Sequence, residues 1–388
     1  MCTRSSLLSF CLTAGLAMGQ GGEPLNPASA IRFNLPPGAP VSVVSTELGD
    51  SRAQARGGAL VLDLRATLTM RNDAAQNLRG LTMVVLSQEA APGGKGSVAV
   101  PSLNIAPGRN FPVRINLRLL RPLPAPAGPL VEVGLDGALF ADFSFFGPNR
   151  LESRRTMTVW EMEARRDRQF LKAMLEKSGP EGLQQELLAS LGRQAARPRV
   201  DVQVSRDQGP PPARVISTAV HALTGRNVTF AFLKLPEAPL DLVSGSALVN
   251  GAEAASPRIE AANRSNRAVR YFEVGWIVTD SADRRFLAGS LPSSSLSLEL
   301  RPGRAAGTLQ DRSYKFTRPG ESPPTITGMS GFVSQVEFAD GRIWIPSRKA
   351  LIDSELHAVL PVSPEEQRLS ELYRNRGLQA LIEELAKF

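Results

Sequence analysis

Cysteine and histidine are nearly missing from this chain of 388 residues, which holds 2 of each, Cys2 and Cys11, His221 and His357. Most metal and thiol chemistry needs clusters of these residues, so it is excluded, and a histidine-dependent mechanism has only two candidates. Aromatic residues are few at 6%, and no apolar run reaches the roughly 20 residues of a membrane-spanning helix. Lysine is scarce as well: of 45 basic residues, all but Lys95, Lys172, Lys177, Lys234, Lys315, Lys349 and Lys387 are arginine. Such a bias fits a GC-rich coding sequence, which makes the formal charge of +8 a weak guide to partners. What is present, 42% hydrophobic and 21% charged residues, excludes whole-chain disorder and leaves room for two ordinary domains.

Arg4, an apolar run from Leu7 to Met18, small Ala17 and Gly19, and polar Gln20-Gly21-Gly22 have the layout of a secretory signal peptide. Phe10 precedes Cys11 where a lipid-attachment signal takes a small residue, which argues against a lipoprotein. Cleavage near Gly19 would remove both cysteines. The mature chain is therefore expected in the periplasm or outside the cell, without disulfides and dependent on core burial.

Leu60, Leu62, Leu64, Ala66, Leu68 and Met70 alternate with Asp63, Arg65, Thr67 and Thr69, and Phe111, Val113, Ile115, Leu117 and Leu119 alternate with Arg114, Asn116 and Arg118. Period 2 puts one face on a core and one in water, as in an antiparallel sheet. Asn72-Asp73 and Pro107-Gly108 read as turns, and Asp136-Gly137 as a hairpin between Val131–Leu135 and Leu139–Phe145. After Arg150 the period becomes helical through Trp160, Ala164, Leu171 and Leu175. Gly179-Pro180 then stops the helix before a second one carrying Leu183, Leu187, Leu188 and Leu191.

The second half repeats the order of the first. Asn72–Leu81 aligns with Asn263–Phe272 at an offset of 191, Pro107-Gly108-Arg109 with Pro302-Gly303-Arg304 at 195, and Asp136-Gly137 with Asp340-Gly341 at 204. Gly182-Leu183-Gln184 resembles Gly377-Leu378-Gln379, and Ser363-Pro364-Glu365-Glu366 is a capping box with proline at the first helical position. The expected fold is mainly β: two Ig-like antiparallel β-sandwiches, each followed by a short helical hairpin. The expected boundaries are a signal peptide at 1–19, a flexible segment at 20–40, a first sandwich at 41–150, a helical hairpin connector at 151–197, a second sandwich at 198–350 and a C-terminal helical hairpin at 351–388. Alternating strands and a terminal Phe388 would also suit an outer-membrane barrel, but Leu378–Phe388 reads as helical and aromatic girdles are lacking.

Ile259 to Arg304, with Trp276-Ile277-Val278-Thr279-Asp280 at its motif position, resembles the small bacterial Ig-like domains named after a Phe-x-Leu-Tyr-Asp motif; the tyrosine is missing, and Val84-Val85-Leu86-Ser87-Gln88 in the first half matches only in outline. The resemblance implies an Ig-like fold in an exported protein and carries no catalytic or binding residue across.

Motif chemistry is thin. His221 lies on the phase opposite Ile216, Thr218 and Val220, and His357 has no ligand partner at metal spacing. Gly328-Met329-Ser330-Gly331-Phe332 lacks the second glycine and the strand–turn–helix frame of a hydrolase elbow, and Pro92–Ser97 reads as a hairpin loop rather than a phosphate loop. Asp280 and Asp283 are weak candidates for calcium. Asn227-Val228-Thr229 and Asn263-Arg264-Ser265 match the glycosylation pattern. Arg150, Arg154, Arg155, Arg165, Arg166 and Arg168 are interleaved with Glu152, Glu161, Glu163 and Asp167, which favours a salt-bridged helical surface over a nucleic-acid stripe.

These readings lead to an exported, non-catalytic tandem Ig-like protein of a bacterial envelope, with no cofactor, no nucleic-acid partner and an envelope or extracellular protein as its partner. A rival is an anionic glycan or lipid headgroup held by Trp344, Arg342 and Arg348, with Trp344 as a stacking platform. A hydrolase using Ser330, or Asp280 with Asp283, is the third class.

Overall fold

The computed structural model describes residues 23–24, 30–88, 93–123, 128–198, 200–206, 225–293, 298–309 and 312–388. The signal-like segment, Cys2, Cys11 and His221 lie outside them. The protein is mainly β, with 46% of residues in strands and 24% in helices. The chain divides into two compact units. The first takes in the described residues through Val100 with Ile105–Ala138 and Phe146–Pro148; the second takes in Pro101–Asn104, Leu139–Phe145 and Asn149–Phe388.

The strands up to the division are β1 (Glu23–Pro24), β2 (Ile31–Asn34), β3 (Val41–Glu47), β4 (Arg52–Arg56), β5 (Ala59–Asn72), β6 (Leu78–Leu86), β7 (Lys95–Val100), β8 (Asn110–Pro122), β9 (Val131–Phe140) and β10 (Phe145–Phe146). β5 is the spine of one sheet, pairing β8 along its whole length and β4 then β3 on its other edge. The alternation in β5 and β8 is realised: Leu62, Leu64, Leu68, Met70, Val113 and Ile115 are buried, and Asp63, Arg65, Arg114 and Arg118 face water. β6, β7 and β9 form a second sheet, in which β2 pairs β9 in parallel. Ile31–Asn34 therefore corrects the expectation of a flexible segment over 20–40, because its backbone is tied into a ladder.

Asp136-Gly137 is not a hairpin. β9 runs through it unbroken, Asp136 is buried, and a Cβ on Gly147 would lie 2.8 Å from the Gly137 Cα. The glycine permits close backbone approach rather than a turn. The turn falls at Asp142, where Phe140 N–H donates to the Ser144 carbonyl.

The second unit holds β11 (Asp201–Arg206), β12 (Arg226–Phe232), β13 (Leu240–Asn250), β14 (Glu253–Asn263), β15 (Val269–Asp280), β16 (Arg285–Pro292), β17 (Ala305–Leu309), β18 (Arg312–Thr317), β19 (Ile326–Phe338) and β20 (Ile343–Trp344). They form one nearly barrel-shaped sheet of ten strands. β12 closes it, pairing β13 antiparallel through Arg226–Thr229 and then β19 in parallel through Phe230–Phe232. Phe272, Val274, Trp276 and Phe316 fill the interior, with the Trp276 ring edge-on to Tyr314 at 5.1 Å.

One turn is built identically in the two units. The buried Asn72 amide donates to the carbonyls of Gln76 and Ile105, and that of Asn263 to those of Arg267 and Leu300. Each side-chain oxygen accepts a backbone N–H two residues on, from Ala74 and Ser265. Each asparagine carbonyl accepts the N–H of a positive-φ glycine, Gly108 or Gly303. Asn263 is buried, so its place in a glycosylation pattern has no accessible amide in the fold.

Among the described residues four helices complete the second unit: α1 (Ser153–Ala196), α2 (Arg348–Asp353), α3 (Leu356–Val359) and α4 (Pro364–Leu385). α1 breaks at Gly179 (φ 69°) and α4 at Gly377 (φ 81°), left-handed values that glycine adopts at low cost. The arms on either side of both breaks share one apolar cluster, Leu171, Leu183 and Leu187 with Leu369, Leu381 and Leu385. These three pairs, the two glycines, and the turn pair Asp142 and Asp340 all stand 198 residues apart, so the register is 198 here rather than 204 or 195. Ser363 caps α4 by accepting the Glu366 N–H, with Pro364 in the first turn. The reciprocal half of the capping box is not made, because the Glu366 carboxylate turns to Arg348 and Ser190.

Asn263→Ala removes one of the two donors at each of the Arg267 and Leu300 carbonyls and the acceptor of the Ser265 N–H. It is expected to cost about 2–4 kcal/mol of stability by urea unfolding, and Asn263→Asp to fail to restore it. Wild-type stability in the alanine variant would contradict this.

Candidate functional site

The sheet of the second unit is apolar on both faces where β15 meets β19. Phe272, Val274, Trp276 and Val278 point inward; Ile277 and Phe332 point outward, beneath Ala350, Leu351, Leu356 and Val359 of α2 and α3. Toward the start of β15 the outward positions become Tyr271, Glu273 and Gly275, and the helical cover no longer closes on the sheet. A cavity of about 510 Å³ remains there, within the range of small-molecule sites. Its floor is Tyr271, Glu273, Gly275, Leu287, Phe332 and Gln335. A Cβ on Gly275 would lie 2.2 Å from the Phe332 ring, so glycine is what lets that ring lie across the floor.

The opposite wall comes from both ends of α1 and from the chain running from α2 into the start of α4. Val159, Trp160, Leu351, Leu360 and Val362 make it apolar, and Arg155, Arg166, Arg193, Arg197 and Arg348 make it basic. Most of these guanidinium groups are held in place. Arg155 lies 3.5 Å over the Tyr271 ring and bonds buried Glu337 at 3.2 Å. Arg166 bonds Asp167 at 2.9 Å and the Pro346 carbonyl at 3.1 Å. Arg193 bonds Glu186 at 2.9 Å, and Arg348 bonds Glu366 at 2.7 Å. Among the described residues no carboxylate lies within ion-pair distance of Arg197.

The acids of the lining differ in state. Burial would raise the Glu366 carboxyl, but the hydrogen bonds and charge of Arg348, with the Ser190 hydroxyl, outweigh it and hold it below the ordinary range. Burial pushes Glu163 up to about 7 against the pull of Arg166, with Asp167 adding to the rise. Burial, then the charge of Glu273, keeps Tyr271 protonated, and its hydroxyl donates to Glu273 at 2.5 Å. The Nδ1 of His357, which also lines the cavity, is buried with no hydrogen-bond partner among the described residues.

Of the residues singled out from sequence, Arg348 lies in this site and Trp344 and Arg342 do not. Trp344 is partly buried against both apolar cores, and Arg342 is exposed beside Asp340. Asp280 is buried and saturated: one oxygen accepts the Ala282 and Arg284 N–H groups, and the other meets Arg284 and Arg318. No lone pair is left for a cation, and Asp283 only closes the turn back onto the Asp280 carbonyl. Ser330 sits in mid-strand, paired with Ile277 and Ala231, not at a nucleophile turn. Lys95 begins β7, an ordinary strand antiparallel to β6. Sequence reasoning missed Trp160, Glu163, Tyr271, Arg193 and Arg197 as one site. The one available signal was the departure of β15 from apolar outward positions at Tyr271 and Glu273.

No protein-family model and no curated protein matches the chain. Among solved structures, one titled pT26-6p aligns over 88% of this chain and 73% of its own at 8% identity and a TM-score of 0.14. The CupB6 tip adhesin of Pseudomonas aeruginosa aligns over 76% and 94% at 12% identity and a TM-score of 0.09. Neither likeness reaches a shared fold.

A carboxyl raised from 4.5 to about 7 binds its proton more tightly when folded, so its contribution is favourable at low pH and is lost as pH rises between these values. Glu163→Gln removes the loss. The variant is expected to exceed wild type by roughly 1–3 kcal/mol at pH 8 and to match it near pH 4. An equal difference in melting temperature at both pH values would contradict the assignment.

Proposed function

We propose that this chain is an exported, non-catalytic binding protein of two Ig-like modules, each followed by a helical hairpin, and that the second module holds a small molecule in the cavity between its sheet and its helices. The observation that carries the reading is the cavity, with an aromatic and aliphatic wall opposed to a small set of fixed polar groups. That is the composition of a binding site. The saturated Asp280 and the mid-strand Ser330 give a hydrolase no starting point, and the signal-like N-terminus supports export. The breaks at Gly179 and Gly377 support the hairpins, and the shared asparagine turn supports duplication of one module. A role in contacting other envelope proteins has less to stand on. Among the described residues the exposed large apolar side chains Val44, Leu120, Leu123, Leu188, Val204, Val243 and Ile352 are spread over six elements and one loop of both units.

Native mass spectrometry of the purified chain, after incubation with a metabolite and lipid extract, tests the reading. Wild type is expected to retain one small molecule per chain, and Leu287→Trp, which fills the cavity floor, to retain none. An unliganded wild type, or equal retention by the variant, would contradict it.

A further inference from the structure

We infer that the ligand of this cavity is an amphipathic monoanion, a single carboxylate on an apolar body, with the carboxylate met by Arg197 and Arg193 and the body lying between Trp160, Leu287 and Phe332. The inference rests on the binding reading above and adds the chemical class of the ligand.

Charge complementarity carries it. Five arginines and three glutamates line the cavity, but most cancel internally: Arg155 against Glu337, Arg166 against Asp167, Arg348 against Glu366. The remainder is Arg197 on the helical wall and Glu273 on the floor, whose hydrogen-bond partner is the neutral Tyr271 hydroxyl. Arg197 has no carboxylate within ion-pair distance among the described residues. Arg193, one helical turn before it, spends one nitrogen on Glu186 and keeps other N–H groups of its five. A guanidinium presents paired donors that match the two oxygens of a carboxylate. Among the lining acids, Glu366 is committed to Arg348 and Glu273 accepts from Tyr271. Burial pushes Glu163 up to about 7, so near neutral pH it carries only part of its charge.

The apolar half is equally defined. Leu287 and Phe332 form the floor where Gly275 and Gly289 leave no side chain between them, and Trp160 faces them from α1. An ion alone would leave these surfaces wet, and a hydrocarbon alone would leave Arg197 desolvated without a partner. Only a molecule with both parts answers both walls.

The chain has 3 tryptophans, and only Trp160 lines the cavity; Trp276 is fully buried and Trp344 is packed between cores. A brominated acyl chain quenches tryptophan on contact, so 11-bromoundecanoate, below its micelle concentration, reports binding. Saturable quenching is expected and should vanish in Trp160→Phe. Arg197→Gln should weaken the acid by about tenfold, with Arg197→Lys restoring part of it. Adding salt to roughly 0.5 M should weaken the acid on the unaltered chain, independently of any variant's folding. The neutral 11-bromoundecan-1-ol should bind about tenfold more weakly than the acid. If alcohol and acid bind alike, with no effect of Arg197→Gln or salt, the anionic class is overturned while the cavity reading stands. If neither quenches, and the extract experiment also shows no retained molecule, both are overturned.

Discussion

A β-strand pair that is apolar on both faces cannot be left half in water, and β15 with β19 is such a pair. Trp276 and Phe272 need the interior of the sheet; Ile277 and Phe332, on the other side, need a cover. That cover is supplied by α2 and α3. They are held in turn by the Arg348 ion pair to Glu366 and by the leucine cluster that α4 shares with α1. Covering an apolar sheet face of this size stabilises by about 25 cal/mol for each Å² removed from water, so the helices are structural partners of the sheet rather than appendages. The cavity exists because the same face turns polar at Tyr271 and Glu273, where an apolar cover would strand buried hydrogen-bonding groups.

Charge is used in two ways around that cover. In the helices, Arg168 lies buried between Glu161 at 3.1 Å and Glu365 at 3.0 Å, and Arg368 bonds Glu365 at 2.9 Å. Such a buried network contributes little net stability, because desolvation offsets much of the attraction, but removing one member would leave the others uncompensated. At the cavity wall most of the arginines are paired. Arg155, Arg166, Arg193 and Arg348 each bond a carboxylate, and Arg197 has no counter-ion among the described residues. The same residue type therefore locks the helices and leaves one unpaired guanidinium at the cavity.

Much of the fold was legible in the sequence because period-2 alternation and a repeated turn are local signals. β5 and β8 follow the alternation from Leu62 to Met70 and from Phe111 to Leu119, and the asparagine turn appears at the matched offset of 191. Failures came where a residue type has two uses. Asp136-Gly137 has the composition of a hairpin turn, yet the glycine serves close packing against Gly147. Ile31–Asn34 is too short to show a period, and its pairing with β9 is non-local. The mixed-sign run from Arg150 to Arg168 reads correctly as salt-bridged, but nothing in its spacing shows that Arg155 and Arg166 meet Tyr271 and Pro346, more than a hundred residues away. Asp280 looks like a free acid in a turn until Arg284 and Arg318 are seen to fill it. The cavity itself could not be read, since it is a gap between elements rather than a pattern within one.

If the leucine cluster clamps both broken helices over the sheet, α1 and α4 must open as one unit. Native-state hydrogen exchange on the wild-type and Leu381→Ala chains measures this directly. The protected amides of α1 and α4 should lose the same free energy in the variant, about 2–4 kcal/mol, with the α2 and α3 cover following. Loss confined to α4, with α1 exchanging as in wild type, would contradict the account.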